Sequence, residues 1–173
     1  VKLNAVIMRG HNDDELLDFI EFTRNQNVHF RFIEFMPFDG NKWNWSKGLS
    51  YKEILDMVKL NYRNNFSRIE DRKNDTSKNF RVNGYAGTFA IISSVTNPFC
   101  DTCNRIRLTA DGKIKNCLFS DSETDLLSAM RRGDDIIPMI METIWYKKSM
   151  RGGINTLDEF GKQKNRAMVA IGG

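Results

Sequence analysis

The chain carries three cysteines and no more, spaced as C-x2-C and then C-x13-C: Cys100 and Cys103 in FCDTCNRIR, and Cys117 in KIKNCLF. A C-x2-C pair at a tight turn points two thiolates at one centre, and Ala110-Asp111-Gly112 supplies the turn of a hairpin that returns a third sulfur to the same place. The hairpin predicts short strands over 105–109 and 113–116, with Cys103 before the first and Cys117 at the end of the second. Three cysteines cannot all pair as disulfides. Their polar neighbours Asp101, Thr102, Asn104 and Asn116 argue against plain core packing. A redox C-x2-C pair leaves Cys117 unexplained. A closed zinc site needs a fourth ligand, and the two histidines, His11 and His29, lie far upstream. An iron–sulfur cubane on three cysteines keeps one iron without a protein ligand, where a small molecule can coordinate. Zinc is the second metal the spacing admits.

Two arginines follow at once. Residues two apart on a strand share a face, so Arg105 and Arg107 are expected to project together beside Cys103 and offer paired guanidiniums to a phosphate. The competing reading is an exposed strand face with solvated arginines. The formal charge of +4 points weakly the same way, towards an anionic partner.

The rest of the chain reads as two regions. Over 1–60 strand and helix alternate. An apolar run, VKLNAVIM, is followed by Asn12 and the acidic turn Asp13-Asp14-Glu15, then by Leu16, Leu17, Phe19, Ile20 and Phe22 at helical spacing. HFRFIEFMP, closed by Pro37, reads as a second strand, in which Phe30, Phe32 and Ile33 mix with Arg31 and Glu34. Ser50 with Glu53 forms a capping box for a further helix carrying Ile54, Leu55 and Val58. This β-α-β-α order predicts a parallel sheet of the barrel or open α/β kind. Lys2 and Arg31 lie on its two strands, whose C-terminal ends are the usual place for ligands. Residues 61–79 are polar and read as a linker. Beyond them, 80–82 and 87–95 join the hairpin strands in a second domain, 80–173, with helices over 126–131 and 136–146 broken at Gly133-Asp134-Asp135. Two strands are too few for an α/β domain, so the chain is expected to be a piece of a longer protein.

FCDTCNRIRLTADGKIKNCLF, together with RFIEFMPFDGNKWNW and the terminal KNRAMVAIGG, resembles the molybdenum cofactor biosynthesis protein A family. These are the GTP 3′,8-cyclases of the radical S-adenosylmethionine (SAM) superfamily, and the likeness runs from Val1 to Gly173 along their C-terminal half. The resemblance implies an incomplete, TIM-type α/β barrel followed by a small α+β iron–sulfur domain. It implies two [4Fe-4S] clusters: one with an open iron on Cys100, Cys103 and Cys117, which holds GTP, and one that splits SAM on the N-terminal half. Carried over by position, Lys2 and Arg105, Ile106 and Arg107 contact GTP, Met36 lies against SAM, Arg31 faces the cavity, and Gly172 and Gly173 enter the active site with catalytic Arg105 and Arg107. The family further implies GTP and an N-terminal radical SAM half as partners, and a homodimer.

The radical-generating C-x3-C-x2-C motif is absent from these 173 residues, so this polypeptide alone is expected to be inactive, and prone to self-association through an exposed sheet edge. The alternative is a zinc-stabilised nucleic-acid module with Trp43 and Trp45 near Lys42 and Lys47 as a stacking platform. An electron-transfer protein would want a fourth thiolate. No apolar run approaches the roughly 20 residues of a membrane span, and no secretory signal is visible. The expected setting is the cytoplasm, as in bacteria, with an organelle left open.

Overall fold

Strands β1 (Lys2–Ile7) and β2 (His29–Glu34) pair in parallel with helix α1 (Leu16–Phe22) between them, as the alternating pattern of the first 36 residues requires. The computed structural model describes residues 1–171. They pack as two units, residues 1–36 with 44–99, and residues 37–43 with residue 100 onwards.

The first unit is built on a mixed five-stranded sheet of order β1-β2-β5-β4-β3, completed by β3 (Phe66–Arg68), β4 (Lys78–Val82) and β5 (Thr88–Ile92). β5 joins β2 in parallel, while β4 and β3 run antiparallel to their neighbours. Residues 80–99, expected with the cysteines, therefore belong to the first unit. Part of the expected linker is an edge strand, because Phe66 turns inward against Phe80 and Phe89 at ring-centroid distances of 6.1 and 6.4 Å. The core face gathers Ile7, Phe30, Phe32, Phe80 and Phe89 against Leu16 and Ile20 of α1 and Ile54 and Val58 of α2 (Tyr51–Tyr62).

Ser50 and Glu53 close the expected capping box of α2. Helix α1 begins later than the acidic turn implies. Asn12 is engaged elsewhere: its Oδ1 accepts from Met8 N at 2.8 Å and its Nδ2 donates to Val6 O at 3.0 Å, so it seals the end of β1 instead of capping a helix.

Glu21 on α1 ties the unit together. Its Oε1 accepts from Tyr62 Oη at 2.7 Å and from Tyr85 Oη, and its Oε2 accepts from Arg24. Burial disfavours its charge, but the two tyrosines and Arg24 outweigh burial and hold the carboxyl below its ordinary value of 4.5. A depressed carboxyl stabilises the fold above its unfolded value, and this contribution is lost as pH falls through the folded value. Glu21→Gln is therefore expected to flatten the loss of thermal stability below about pH 4.5. Identical acid limbs for variant and wild type would refute the assignment.

The second unit holds a three-stranded antiparallel sheet, β6 (Arg107–Leu108), β7 (Lys113–Lys115) and β8 (Thr124–Asp125), with α3 (Leu126–Arg132), α4 (Ile137–Trp145) and α5 (Leu157–Lys162). The expected hairpin forms. Gly112 has φ +74°, and a Cβ there would meet Leu127 Cβ at 2.4 Å, so the turn requires glycine. Gly133, at φ 85°, ends α3 in the left-handed conformation. Ile114, Phe119, Ile154 and Phe160 form the core, with Phe119 and Phe160 packed edge to face at 5.0 Å. Among the described residues no helix is long and apolar enough to cross a membrane.

Candidate functional site

Cys100 and Cys103 bracket a single 3-10 turn, Cys100–Thr102, closed by Cys103 N donating to Cys100 O at 3.0 Å. The β6–β7 hairpin delivers Cys117 two residues beyond β7. All three thiols are unpaired and half-buried. Burial pushes the Cys100 thiol up; Arg151 N, 3.3 Å from its sulfur, opposes this, and the charges of Cys117 and Cys103 add to the rise. Cys100 thus feels the charges of both other cysteines. Cys103 goes the other way. Burial also works against its thiolate, but the Arg105 N–H and the Lys147 ammonium, with Nζ 3.4 Å from the sulfur, hold its thiol below the ordinary value.

Among the described residues no group of three or more His, Cys, Asp or Glu side chains is arranged to hold a metal ion. A single zinc requires sulfurs converging to about 2.3 Å of one point. A cluster of several irons takes its thiolates farther apart, and three soft sulfurs, two of them already receiving N–H donors, suit such a group by their donor chemistry.

Arg107 lies on β6 opposite Lys115, whereas Arg105 lies before the strand. The expected strand over 105–109 is shorter because Lys147 Nζ takes the carbonyls of Cys103 at 3.2 Å and Arg105 at 2.7 Å, which bends 103–105 out of the ladder. The shared face of Arg105 and Arg107 therefore does not follow from strand periodicity. Arg105 and Ile106 are exposed and Arg107 is half-buried.

In the first unit, Lys2 and Arg31 occupy the sheet face opposite the core. Lys2 opens β1 and Arg31 is the third residue of β2, so neither stands at a C-terminal strand end. The parallel register pairs Lys2 with His29 and Asn4 with Arg31, and Arg31 Nε donates to Asn4 Oδ1 at 2.8 Å. His29 Nδ1 lies 2.7 Å from Thr88 Oγ1. Burial lowers the imidazole's pKa, and the charges of Arg31 and Lys2 lower it further, against a smaller opposing effect of Asp75. Met36, half-buried, follows β2. Gly172 and Gly173 lie outside the described residues.

Sequence reasoning missed the anchor of the segment before those glycines. Lys115, only 1% exposed, donates from Nζ to Asn165 Oδ1 at 2.8 Å and stands 3.6 Å from Glu123. Arg166 grips Asp111 through two hydrogen bonds of 3.0 and 2.9 Å and reaches Glu123 at 2.5 Å. Lys115, Glu123, Asn165 and Arg166 border a cavity of about 760 Å³ that Trp43 and Phe160 also line. Trp43 packs on Phe160 at 6.2 Å. Trp45 belongs to the first unit, so the two tryptophans do not form one platform within either unit.

Residues 28–152 match the profile of the family described as Molybdenum Cofactor Synthesis C. This span includes all three cysteines and Arg105 to Arg107. Over 176 residues the chain is 45% identical to the mitochondrial GTP 3′,8-cyclase of Arabidopsis thaliana, covering 100% of this chain and 44% of that protein. Human molybdenum cofactor biosynthesis protein 1 is 41% identical, over 99% of this chain and 27% of its own length. The GTP 3′,8-cyclase of Lactiplantibacillus plantarum is 41% identical, over 79% of this chain and 40% of that protein. The chain thus spans less than half the length of these relatives. A profile match across most of the chain, with relatives of this identity, shows that it belongs to the molybdenum cofactor synthesis C family.

Proposed function

We propose that this chain is the C-terminal, substrate-binding part of a radical SAM GTP 3′,8-cyclase, which converts GTP to (8S)-3′,8-cyclo-7,8-dihydroguanosine 5′-triphosphate in molybdenum cofactor biosynthesis. One observation carries the reading: Arg105 and Arg107 lie between the Cys100–Cys103 turn and Cys117 in a stretch whose three thiols are all unpaired and half-buried. Relatives named GTP 3′,8-cyclase support it. No relative reported above is named as a nucleic-acid-binding or zinc protein.

In this reading Cys100, Cys103 and Cys117 hold a [4Fe-4S] cluster. When bound, it supplies an iron with an open coordination position for the purine. Arg105 and Arg107 supply charge-assisted hydrogen bonds to anionic oxygens, with Ile106 between them as an apolar contact. Lys2 and Arg31 add positive charge from the polar sheet face, Asn4 holds the Arg31 guanidinium, and Met36 packs against SAM. Gly172 and Gly173 reach the reacting centre, where the lack of side chains leaves room. The parallel run β1-β2-β5 supports the assignment of this sheet to the end of a partial barrel. A second cluster and SAM sit on an N-terminal half, and the whole enzyme is a homodimer.

Two results test this. Replacing both Arg105 and Arg107 by alanine in the cluster-loaded full-length protein is expected to weaken GTP binding at least 100-fold, at about 1.5–3 kcal/mol for each hydrogen bond to a charged group. GTP affinity unchanged in the double variant, measured by titration calorimetry, would overturn the assignment. A polypeptide of these 173 residues, supplied with SAM and reductant, is expected to release no 5′-deoxyadenosine, because its three cysteines are committed to the other cluster. Release at a rate above the protein-free control would contradict that.

A further inference from the structure

We propose that Lys147 is a positioning residue for this site: it fixes the turn from Cys103 to Arg105 and raises the reduction potential of the cluster that Cys100, Cys103 and Cys117 hold. The inference rests on the functional reading above. Lys147 lies two residues past α4, its backbone N–H donating to Ile144 O at 3.1 Å, so the end of the helix sets where the side chain starts. The half-buried ammonium has three protons and three neighbours to receive them: Arg105 O at 2.7 Å, Cys103 O at 3.2 Å and Cys103 Sγ at 3.4 Å. Two of these contacts shape the turn that carries Arg105. The third brings a full positive charge to one ligand sulfur.

The three sulfurs are not served alike. Cys100 receives a backbone N–H hydrogen bond from Arg151 and feels the Arg151 charge only through space, whereas Cys103 is hydrogen-bonded directly by the ammonium. Positive charge and hydrogen bonds at a ligand sulfur withdraw electron density and favour the reduced, more negative cluster. Stapling the backbone alone would need only a neutral donor such as an amide. The charge adds an electronic effect that a merely structural residue would not have.

The experiment is a redox titration followed by electron paramagnetic resonance, with iron quantification and GTP titration, on the cluster-loaded full-length protein and its Lys147→Gln, Lys147→Arg and Lys147→Met variants. Lys147→Gln keeps a donor and removes the charge, and is expected to hold wild-type iron at a lower midpoint potential. Lys147→Arg should restore the potential. Lys147→Met removes both donor and charge, and should also weaken GTP binding roughly tenfold, as the turn under Arg105 loses its clamp. A Lys147→Gln potential equal to wild type with full iron overturns the electronic role. Loss of iron in Lys147→Gln and Lys147→Arg alike overturns it too, since the side chain would then serve packing alone. Failure of the wild-type protein to hold any cluster on these cysteines would instead overturn the functional reading on which the inference stands.

Discussion

On the proposed reading, replacing Cys103 by serine is expected to abolish cluster binding by the second unit, and with it any spectroscopic response to GTP. The expectation follows from the donor set. With only three protein thiolates available, removing one leaves two, and iron–sulfur clusters are held chiefly by thiolate. Serine is a poor substitute at Cys103, because the Lys147 ammonium and the Arg105 N–H favour its anionic form, whereas a serine hydroxyl stays protonated at neutral pH. The fold should survive, since the thiol is half-buried and the hairpin beside it is closed by Gly112 and the backbone ladder. Iron per chain falling to background in Cys103→Ser, with an unchanged far-ultraviolet circular dichroism spectrum, is the predicted result. A variant that retains wild-type iron would remove Cys103 from the ligand set.

Glu34→Leu is expected to destabilise the first unit by about 3–5 kcal/mol. Glu34 is fully buried, yet its carboxylate is satisfied: Oε2 accepts from Val95 N at 2.7 Å and Thr96 N at 2.9 Å, and Oε1 accepts from Tyr51 N at 2.9 Å and from Thr96 Oγ1. One side chain thereby caps the first turn of α2 and fixes the loop after β5. Leucine fills similar volume but takes the carboxylate acceptor away from Val95 N and Thr96 N, whereas Tyr51 N keeps Thr96 Oγ1 at 3.1 Å, and each such loss costs about 1–3 kcal/mol. Glu34→Gln retains one acceptor oxygen and should lose less. Urea unfolding followed by circular dichroism separates the cases; a Leu variant within 1 kcal/mol of wild type, on the same scale of about 1–3 kcal/mol per stranded group, would mean that these amides find water or other partners.

Much of the local structure was legible in the residues. The Ser50–Glu53 box, the Ala110-Asp111-Gly112 turn and the glycine break at 133 each rest on chemistry within four positions, and all three form. Long-range pairing was not. Nothing in residues 80–92 says that they hydrogen-bond back to a strand at 29–34, because ladder bonds are made by any sequence and the partner is chosen by the whole core. Burial misled in the same way. Glu34 reads as the polar half of an alternating strand, but period two places it on the inward face with Phe30 and Phe32. Lys115 reads as a surface charge in KIK and is buried against Asn165, fifty positions away. The cysteines and arginines of the candidate site were visible as a motif. The groups that contact them, Lys147 at Cys103 and Asn4 at Arg31, come from distant positions and were not, and neither was the Arg166 anchor on Asp111.

The most direct test of the central claim is anaerobic reconstitution of this chain with iron and sulfide, followed by iron and zinc quantification and a spectroscopic titration with GTP. About four irons per chain and a GTP-dependent change at the cluster are the predicted result. Tightly bound zinc in place of iron, with no response to GTP, would contradict it.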